Sequence, residues 1–153
     1  MLGIGSIAEL EAQTAEGKVI PTEVSKPPYK VGDLVVQQGY YIDQGNDQPR
    51  LNFRFENNQI RVYWIDADGL IAEAKATTGS VHFDKESVRG NPNYPLNPLP
   101  KKTGLASVRP VIPPHNFQLR LLVKSSEEAE ATAYRFKYSL GMDQAIDPTS
   151  KSK

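Results

Sequence analysis

The chain contains no cysteine among its 153 residues. Disulfide bonds, thiolate metal sites and cysteine nucleophiles are therefore excluded, although a chain of this length can bury a core without covalent cross-links. It also lacks any run of about 18 apolar residues, so no transmembrane helix is predicted. The amino terminus shows neither the basic region nor the apolar region of a signal peptide. These absences leave the compartment open.

An excess of charge of either sign is missing too. Eighteen basic side chains balance eighteen acidic ones, and the formal net charge is zero. Without a net positive charge there is no long-range field that would attract nucleic acid or an anionic membrane. We therefore expect neither of these as a partner.

The clearest pattern that is present lies in residues 49–69. Apolar and polar side chains alternate there twice, which is typical of two half-buried strands, and the pair Asn57-Asn58 between them tolerates the positive φ of a tight turn. One face carries Leu51, Phe53, Phe55, Ile60, Val62 and Trp64, and the other carries Asn52, Arg54, Arg61, Tyr63 and Ile65. The sequence thus predicts a central antiparallel hairpin.

Further strands are predicted along the chain by shorter alternating segments bounded by turn residues. These segments are 34–42, 70–76, 80–83, 104–112, 117–124 and 132–138. Between them, residues 91–100 read NPNYPLNPLP. The three-residue spacing of these prolines favours a polyproline II segment and excludes a helix or a central strand.

The two ends are interpreted as additions to this set of strands. Residues 6–17 predict a short helix, because Ser6 and Glu9 form a capping box and Gly17 suits the helix end. We divide the chain into an amino-terminal helix with a proline-containing arm (1–30), a β domain (31–140) and a flexible carboxy-terminal tail (141–153). The arm is a candidate for self-association.

The expected fold class is all-β. About seven or eight short strands with no crossover helices predict an antiparallel β-sandwich with Greek-key connections, immunoglobulin-like in architecture. A β-barrel is the alternative.

Two groups of residues are candidates for metal binding. Residues 66–69 have the D-x-D-G form of a calcium loop, but an EF-hand needs Glu at position 12, which is Thr77 here. We therefore interpret Asp66 and Asp68 as turn-stabilising residues, with Gly69 at positive φ. The only histidines, His82 and His115, are 33 residues apart. We predict no metal site and no cofactor.

Catalytic signatures are equally scarce. There is no G-x-S-x-G elbow and no identifiable pair of carboxylates for glycoside cleavage. We therefore expect a non-enzymatic protein. Four tyrosines, Tyr40, Tyr41, Tyr63 and Tyr94, are candidates for an aromatic ligand-binding patch, and the alternative is that they fill gaps in the core.

Residues 60–69 and 115–123 carry a resemblance to known proteins. A strand that ends in Asp-x-Asp-Gly and a later strand reading HNFQLRLLV resemble small exported bacterial immunoglobulin-like β-sandwich domains, periplasmic or lipoprotein-borne, some encoded beside metal-efflux systems. The resemblance implies a periplasmic, secreted or cell-surface location, with a cytoplasmic one still open. We expect an exported binding, adhesion or accessory module with a protein or polysaccharide partner. The alternatives are a carbohydrate-binding module and a structural subunit of a surface or phage assembly.

Overall fold

A computed structural model describes residues 21, 23–84 and 90–144 of the chain. The helix predicted over residues 6–17 lies outside the described residues, and so do residues 145–153 of the predicted tail. Gly141, Met142 and Asp143, which were predicted to belong to the flexible tail, are part of a short 3-10 helix, Leu140–Asp143. No helix in the described part of the chain has the length and apolarity that a membrane span requires.

Nine strands form the described part of the fold, one or two more than the sequence predicted. Their bounds are Tyr40–Ile42 (β1), Arg50–Glu56 (β2), Gln59–Ile65 (β3), Ile71–Ala72 (β4), Thr78–Phe83 (β5), Asn93–Pro98 (β6), Leu105–Pro110 (β7), Phe117–Lys124 (β8) and Thr132–Tyr138 (β9). A second 3-10 helix, Pro100–Lys102, lies between β6 and β7. The predicted bounds of β8 and β9 are confirmed.

All strand pairs are antiparallel and belong to one sheet with the order β1-β2-β3-β7-β6-β5-β8-β9, while the short β4 pairs with β3. The all-β antiparallel class is therefore confirmed. Strands β5 to β8 take the order β8-β5-β6-β7, which is a Greek key. The immunoglobulin-like arrangement of two separate sheets is not confirmed, because this single hydrogen-bonded order connects every described strand.

The sheet curls until its two edge strands approach each other, so that it nearly forms a barrel. The Tyr40 ring of β1 stacks on the Phe136 ring of β9, with centroids 4.2 Å apart. Next to this stack, the Gly39 amide donates a hydrogen bond to the Met142 carbonyl over 2.8 Å. We call this junction the seam. Gly39 lies at φ 87°, and a Cβ there would come within 2.2 Å of the Phe53 carbonyl oxygen.

The central hairpin is confirmed as β2 and β3. Asn57 and Asn58 take φ values of 52° and 64°, as the predicted tight turn requires. Val62 and Trp64 point into the main core, whereas Tyr63 and Ile65 on the opposite face belong to a second, smaller cluster with Tyr29.

The half-buried character predicted for β2 was wrong. Its five central residues are all buried, and Asn52 and Arg54 on the supposed solvent face are fully buried. The cause is the segment before β1, which crosses this face. Asn52 Nδ2 donates to the Gln38 carbonyl over 2.8 Å, and Gln38 Nε2 donates to the Phe55 carbonyl over 2.9 Å.

The polyproline interpretation of residues 91–100 was also wrong, because β6 is an interior strand between β5 and β7. Polyproline II and β dihedrals are close, so the backbone satisfies both proline and the sheet. Pro95 has a partner only on β5 (Ser80), and Pro98 has one only on β7 (Leu105). Each proline therefore has an unpaired side, where a missing N–H costs no ladder hydrogen bond.

Candidate ligand-binding groove

A groove of about 500 Å³ opens over the second cluster, on the outer face of β3. This volume falls in the usual range for ligand pockets. Its lining comes from the segment before β1, the β2–β3 turn, the outer face of β3 and the turn between β6 and β7. The lining residues are Pro27, Pro28, Tyr29, Lys30, Glu56, Asn57, Arg61, Tyr63, Leu99, Pro100, Lys101 and Thr103.

The floor of the groove holds one carboxylate, Glu56 at the end of β2, whose side chain is 12% exposed. Its Oε1 accepts a hydrogen bond from the Tyr63 hydroxyl over 2.8 Å. Arg61 Nε lies 3.6 Å from the same oxygen. One acidic group is thus shared by a phenol and a guanidinium from the neighbouring strand.

Arg54 lies beneath this floor with no exposed surface. Its Nε donates to Asn52 Oδ1 over 2.5 Å and its Nη2 donates to the Val36 carbonyl over 3.0 Å. Its Nη1 is 3.8 Å from Glu56 Oε2, which is too long for a hydrogen bond. Within the described residues, both of these buried atoms lack a hydrogen-bond partner.

The charges at the floor do not cancel. Arg54 and Arg61 are two cations, and Glu56 is the one anion between them. A charge in a cleft with low-dielectric walls acts on a ligand more strongly than the same charge on an open surface. The floor therefore favours a ligand that carries negative charge.

Two tyrosine rings form the back wall of the groove. Tyr29 meets Tyr63 edge to face, with centroids 5.6 Å apart. Burial, reinforced by the Glu56 carboxylate, holds the pKa of the Tyr63 phenol well above its usual range. Burial and Glu56 also raise the pKa of Tyr29. Both phenols therefore remain protonated hydrogen-bond donors at physiological pH.

The rim of the groove is apolar and basic. Pro27, Pro28, Leu99 and Pro100 supply apolar walls. Lys101 stands on the turn at φ 60°, a backbone conformation that the hydrogen bond from the Thr103 amide to the Pro100 carbonyl supports. Lys30, the other rim lysine, pairs with Asp33 at 3.0 Å.

The four tyrosines proposed as an aromatic patch are distributed between the two clusters. Tyr40 packs against the main core and Tyr94 belongs to it, whereas Tyr63 belongs to the second cluster and Tyr41 packs against that cluster. Arg109 covers the Tyr94 ring at 3.8 Å, and Arg50 covers the Tyr41 ring at 4.3 Å. Tyr63 is the member that lines the groove. A ligand role for the others stays a prediction.

The residues considered for metal binding lie in three separate places. Asp66 Oδ1 accepts hydrogen bonds from the amides of Asp68 (2.9 Å) and Leu70 (3.0 Å), and Gly69 has φ 84°, so the predicted turn role is confirmed. His82 is on β5, opposite Arg120 of β8. Across residues 21, 23–84 and 90–144, no three His, Cys, Asp or Glu side chains form a group that could hold a metal ion.

His115 belongs to a buried network at the seam. Its Nδ1 lies 2.9 Å from Asp143 Oδ2 and its Nε2 lies 3.0 Å from the Val111 carbonyl oxygen. The Tyr138 hydroxyl donates to Asp143 Oδ1 over 2.6 Å. The imidazole stacks on the Phe55 ring, with centroids 3.9 Å apart. His115 therefore joins the 3-10 helix after β9 to the core.

Arg54, Glu56 and Arg61 were not among the ligand-binding residues predicted from the sequence. Their alternation with apolar residues indicated a solvent face. A signal was nevertheless present in the sequence. Tyr63 and Ile65 lie on that same face of the hairpin, and large apolar side chains there indicate that another segment packs over the face.

No family model matches the sequence, and no solved structure significantly matches the chain.

Proposed function

We propose that this chain is a non-enzymatic binding module that takes an acidic sugar chain in the groove above Tyr63. The observation that carries the proposal is the charge arrangement in and beneath the floor, where Arg61, which lines the groove, and Arg54, which is fully buried below it, share the single carboxylate of Glu56. A uronic acid presents a carboxylate, which arginine binds with two parallel hydrogen bonds.

The hydrogen-bonding groups of the groove also suit a sugar. Glu56 lines the groove with a side chain that is 12% exposed, and its carboxylate can accept a hydrogen bond from a sugar hydroxyl. Asn57 and Thr103 add neutral polar groups to the lining. The apolar walls, with Leu99 and Pro100 on one side, suit the C–H faces of a pyranose ring.

The lining supports binding rather than cleavage. Glu56 is the single carboxylate among the twelve residues that line the groove. Glycosidases of the common type place two carboxylates on either side of the bond they cleave. In the proposed role Glu56 positions Arg61 and Tyr63 and accepts a hydrogen bond from the ligand.

The proposed setting is the periplasm or the cell surface, where acidic polysaccharides are accessible. The proposal rests on the resemblance of residues 60–69 and 115–123 to exported immunoglobulin-like domains. The Greek key formed by β5 to β8 is compatible with a relationship to that class.

The test is calorimetric titration with oligogalacturonates and oligoalginates, and with the methyl esters of the oligogalacturonates as a neutral ligand of the same skeleton. The acidic oligosaccharides should bind, and the esters should bind at least about tenfold more weakly because they have lost the ionic contact. Arg61→Gln should reduce affinity for the acids by a similar factor. Lys75→Gln removes one exposed charge away from the groove and should leave affinity unchanged.

Equal affinity for acid and ester would contradict the proposal. So would an Arg61→Gln variant that binds like the native chain, or the absence of binding to every acidic oligosaccharide in the panel.

A further inference from the structure

A row of basic side chains crosses three adjacent strands on the other half of the sheet. His82 of β5 lies opposite Arg120 of β8, and Arg120 lies opposite Arg135 of β9. Directly opposed residues project from the same face of an antiparallel sheet, with Cβ atoms about 4.5–5.5 Å apart. The two guanidinium groups and the imidazole therefore line one depression of about 320 Å³. We call these three residues the basic row.

Little in the described structure neutralises this row. Asp84 and Gln118 line the same depression. Lys137, the residue of β9 that lies opposite Gln118, adds another positive charge beside Arg135. No ion pair within the described residues joins Arg120 or Arg135 to a carboxylate. Arg120 Nε is buried and lacks a hydrogen-bond partner there. The one acid lining the depression, Asp84, thus leaves an excess of positive charge.

Without a bound anion, this arrangement of positive charges lowers the stability of the folded protein. Like charges directly opposed across two strands destabilise a sheet, and a buried donor without an acceptor destabilises the folded state. A bound anion would offset both the repulsion between the two arginines and the loss from the unpaired donor. The same two arginines that weaken the empty sheet would then stabilise the occupied one.

We propose that the basic row binds a phosphate monoester. Two guanidinium groups match the two negative charges of that group, and its three terminal oxygens can accept bidentate hydrogen bonds from both arginines. A carboxylate has one charge and would leave one arginine unmatched. The depression has room for an organic substituent beyond the phosphate, with Gln118 at its margin.

The basic row is independent of the groove above Tyr63. The groove lies on β3 and its neighbouring turns, whereas the row lies on β5, β8 and β9. Phosphate binding can therefore succeed or fail without affecting the outcome of the oligosaccharide titrations.

The primary experiment is a thermal-shift titration of the full chain with inorganic phosphate and glycerol 1-phosphate, against sodium chloride and acetate at matched ionic strength. At a ligand concentration about ten times Kd, phosphate should raise Tm by about 3–5 °C. Chloride and acetate should have a smaller effect that does not saturate. Equal shifts from all four salts would indicate charge screening alone and would overturn the proposal.

The two histidines provide a second measurement that locates the ligand. Phosphate should move the imidazole proton resonances of His82 in a saturable way. His115 lies in the seam network and should not respond. A response of His115 alone, or of neither histidine, would contradict binding at the basic row.

A charge-removing variant separates a binding role from a structural one. Arg135→Gln should reduce phosphate affinity by roughly tenfold and, without phosphate at low salt, should leave Tm unchanged or raise it, because a repulsive pair has been removed. Lys75→Gln is the matched control and should retain the phosphate response. A lower Tm without phosphate together with an unchanged response would show that Arg135 is structural and would refute the proposal.

Vesicles distinguish the source of the phosphate. Sedimentation with phosphatidic acid vesicles, but not with phosphatidylcholine vesicles, would identify a lipid headgroup as the ligand. A response to glycerol 1-phosphate without vesicle binding would identify a soluble phosphate monoester.

Discussion

Two buried polar networks with similar components lie near the end of β2, where His115 of one network stacks on Phe55 and the other network contains Glu56. Each contains a tyrosine hydroxyl that donates to a carboxylate, Tyr63 to Glu56 in the groove and Tyr138 to Asp143 at the seam. At the seam, both oxygens of Asp143 have partners. Beneath the groove, Arg54 Nη1 and Glu56 Oε2 stay 3.8 Å apart, and neither has a hydrogen-bond partner within the described residues.

The difference is consistent with a structural network at the seam and with the ligand-binding role proposed for the groove. Buried polar groups in folded proteins are nearly always hydrogen-bonded, and each exception calls for an explanation. The seam network joins the 3-10 helix Leu140–Asp143 to the core, and both carboxylate oxygens of Asp143 have partners there. The groove network contains a buried donor and a buried acceptor that lack partners within the described residues, and it borders the groove.

The largest expected effect of a single substitution is at Arg54. Arg54→Ala removes a positive charge that offsets the negative charge of the Glu56 carboxylate in a buried site. Removing one partner of a buried ion pair typically lowers the free energy of unfolding by about 3–5 kcal/mol. Urea unfolding followed by circular dichroism would measure this loss. Arg50→Ala on the same strand removes a half-buried guanidinium that covers Tyr41, and should cost less than about 1 kcal/mol. Equal losses would mean that the groove network contributes no more to stability than a surface arginine.

A smaller effect is expected at the seam. Asp143→Ala removes the acceptor of the Tyr138 hydroxyl, which is fully buried, and of His115, so we expect a loss of about 1–3 kcal/mol. The Gly39 amide, which donates to Met142, should then exchange its hydrogen faster. Tyr134→Phe is the matched control, because its hydroxyl donates to Gln44 over 3.2 Å at the half-exposed end of the seam. Slower exchange at Gly39 in Asp143→Ala would contradict the joining role of this network.

Much of the fold follows from alternation in the sequence. The β2–β3 hairpin, β8 and β9 were predicted because each has a strict two-residue period and a recognisable turn. The interior position of β6 was not predictable by this reasoning, since it depends on which side of each proline is paired. That information lies in the register with β5 and β7 and not in the segment itself.

The groove was harder to predict than the fold. Arg54 and Arg61 have the spacing of solvent-facing residues, and the complete burial of Arg54 depends on the segment before β1 crossing β2. That crossing is fixed by long-range contacts such as Gln38 to Phe55, which no local pattern contains. Tyr63, by contrast, was a candidate from its sequence position and lies in the groove.

The pH dependence of the free energy of unfolding tests both networks in the same way, because each contains one buried tyrosine, Tyr63 or Tyr138. Burial and the adjacent carboxylate hold the pKa of Tyr63 and of Tyr138 well above the usual value of 10. The unfolded phenol ionises near pH 10 and the folded one does not, so its contribution is intact below pH 10 and is lost as pH rises further. Each tyrosine should lower the free energy of unfolding by about 1.4 kcal/mol one pH unit above that point.

Urea midpoints measured between pH 9 and 11 should reveal this loss, with phenolate absorbance appearing only on unfolding. Tyr63→Phe and Tyr138→Phe should each make the urea midpoint fall less steeply with rising pH. The two reductions should be similar, because both phenols are buried beside a carboxylate. A reduction in only one variant would show that the other phenol reaches solvent in the native state. If that phenol is Tyr63, the groove is open to water down to the Glu56 carboxylate, and a ligand hydroxyl can reach the Oε1 side of that carboxylate without any rearrangement of the floor.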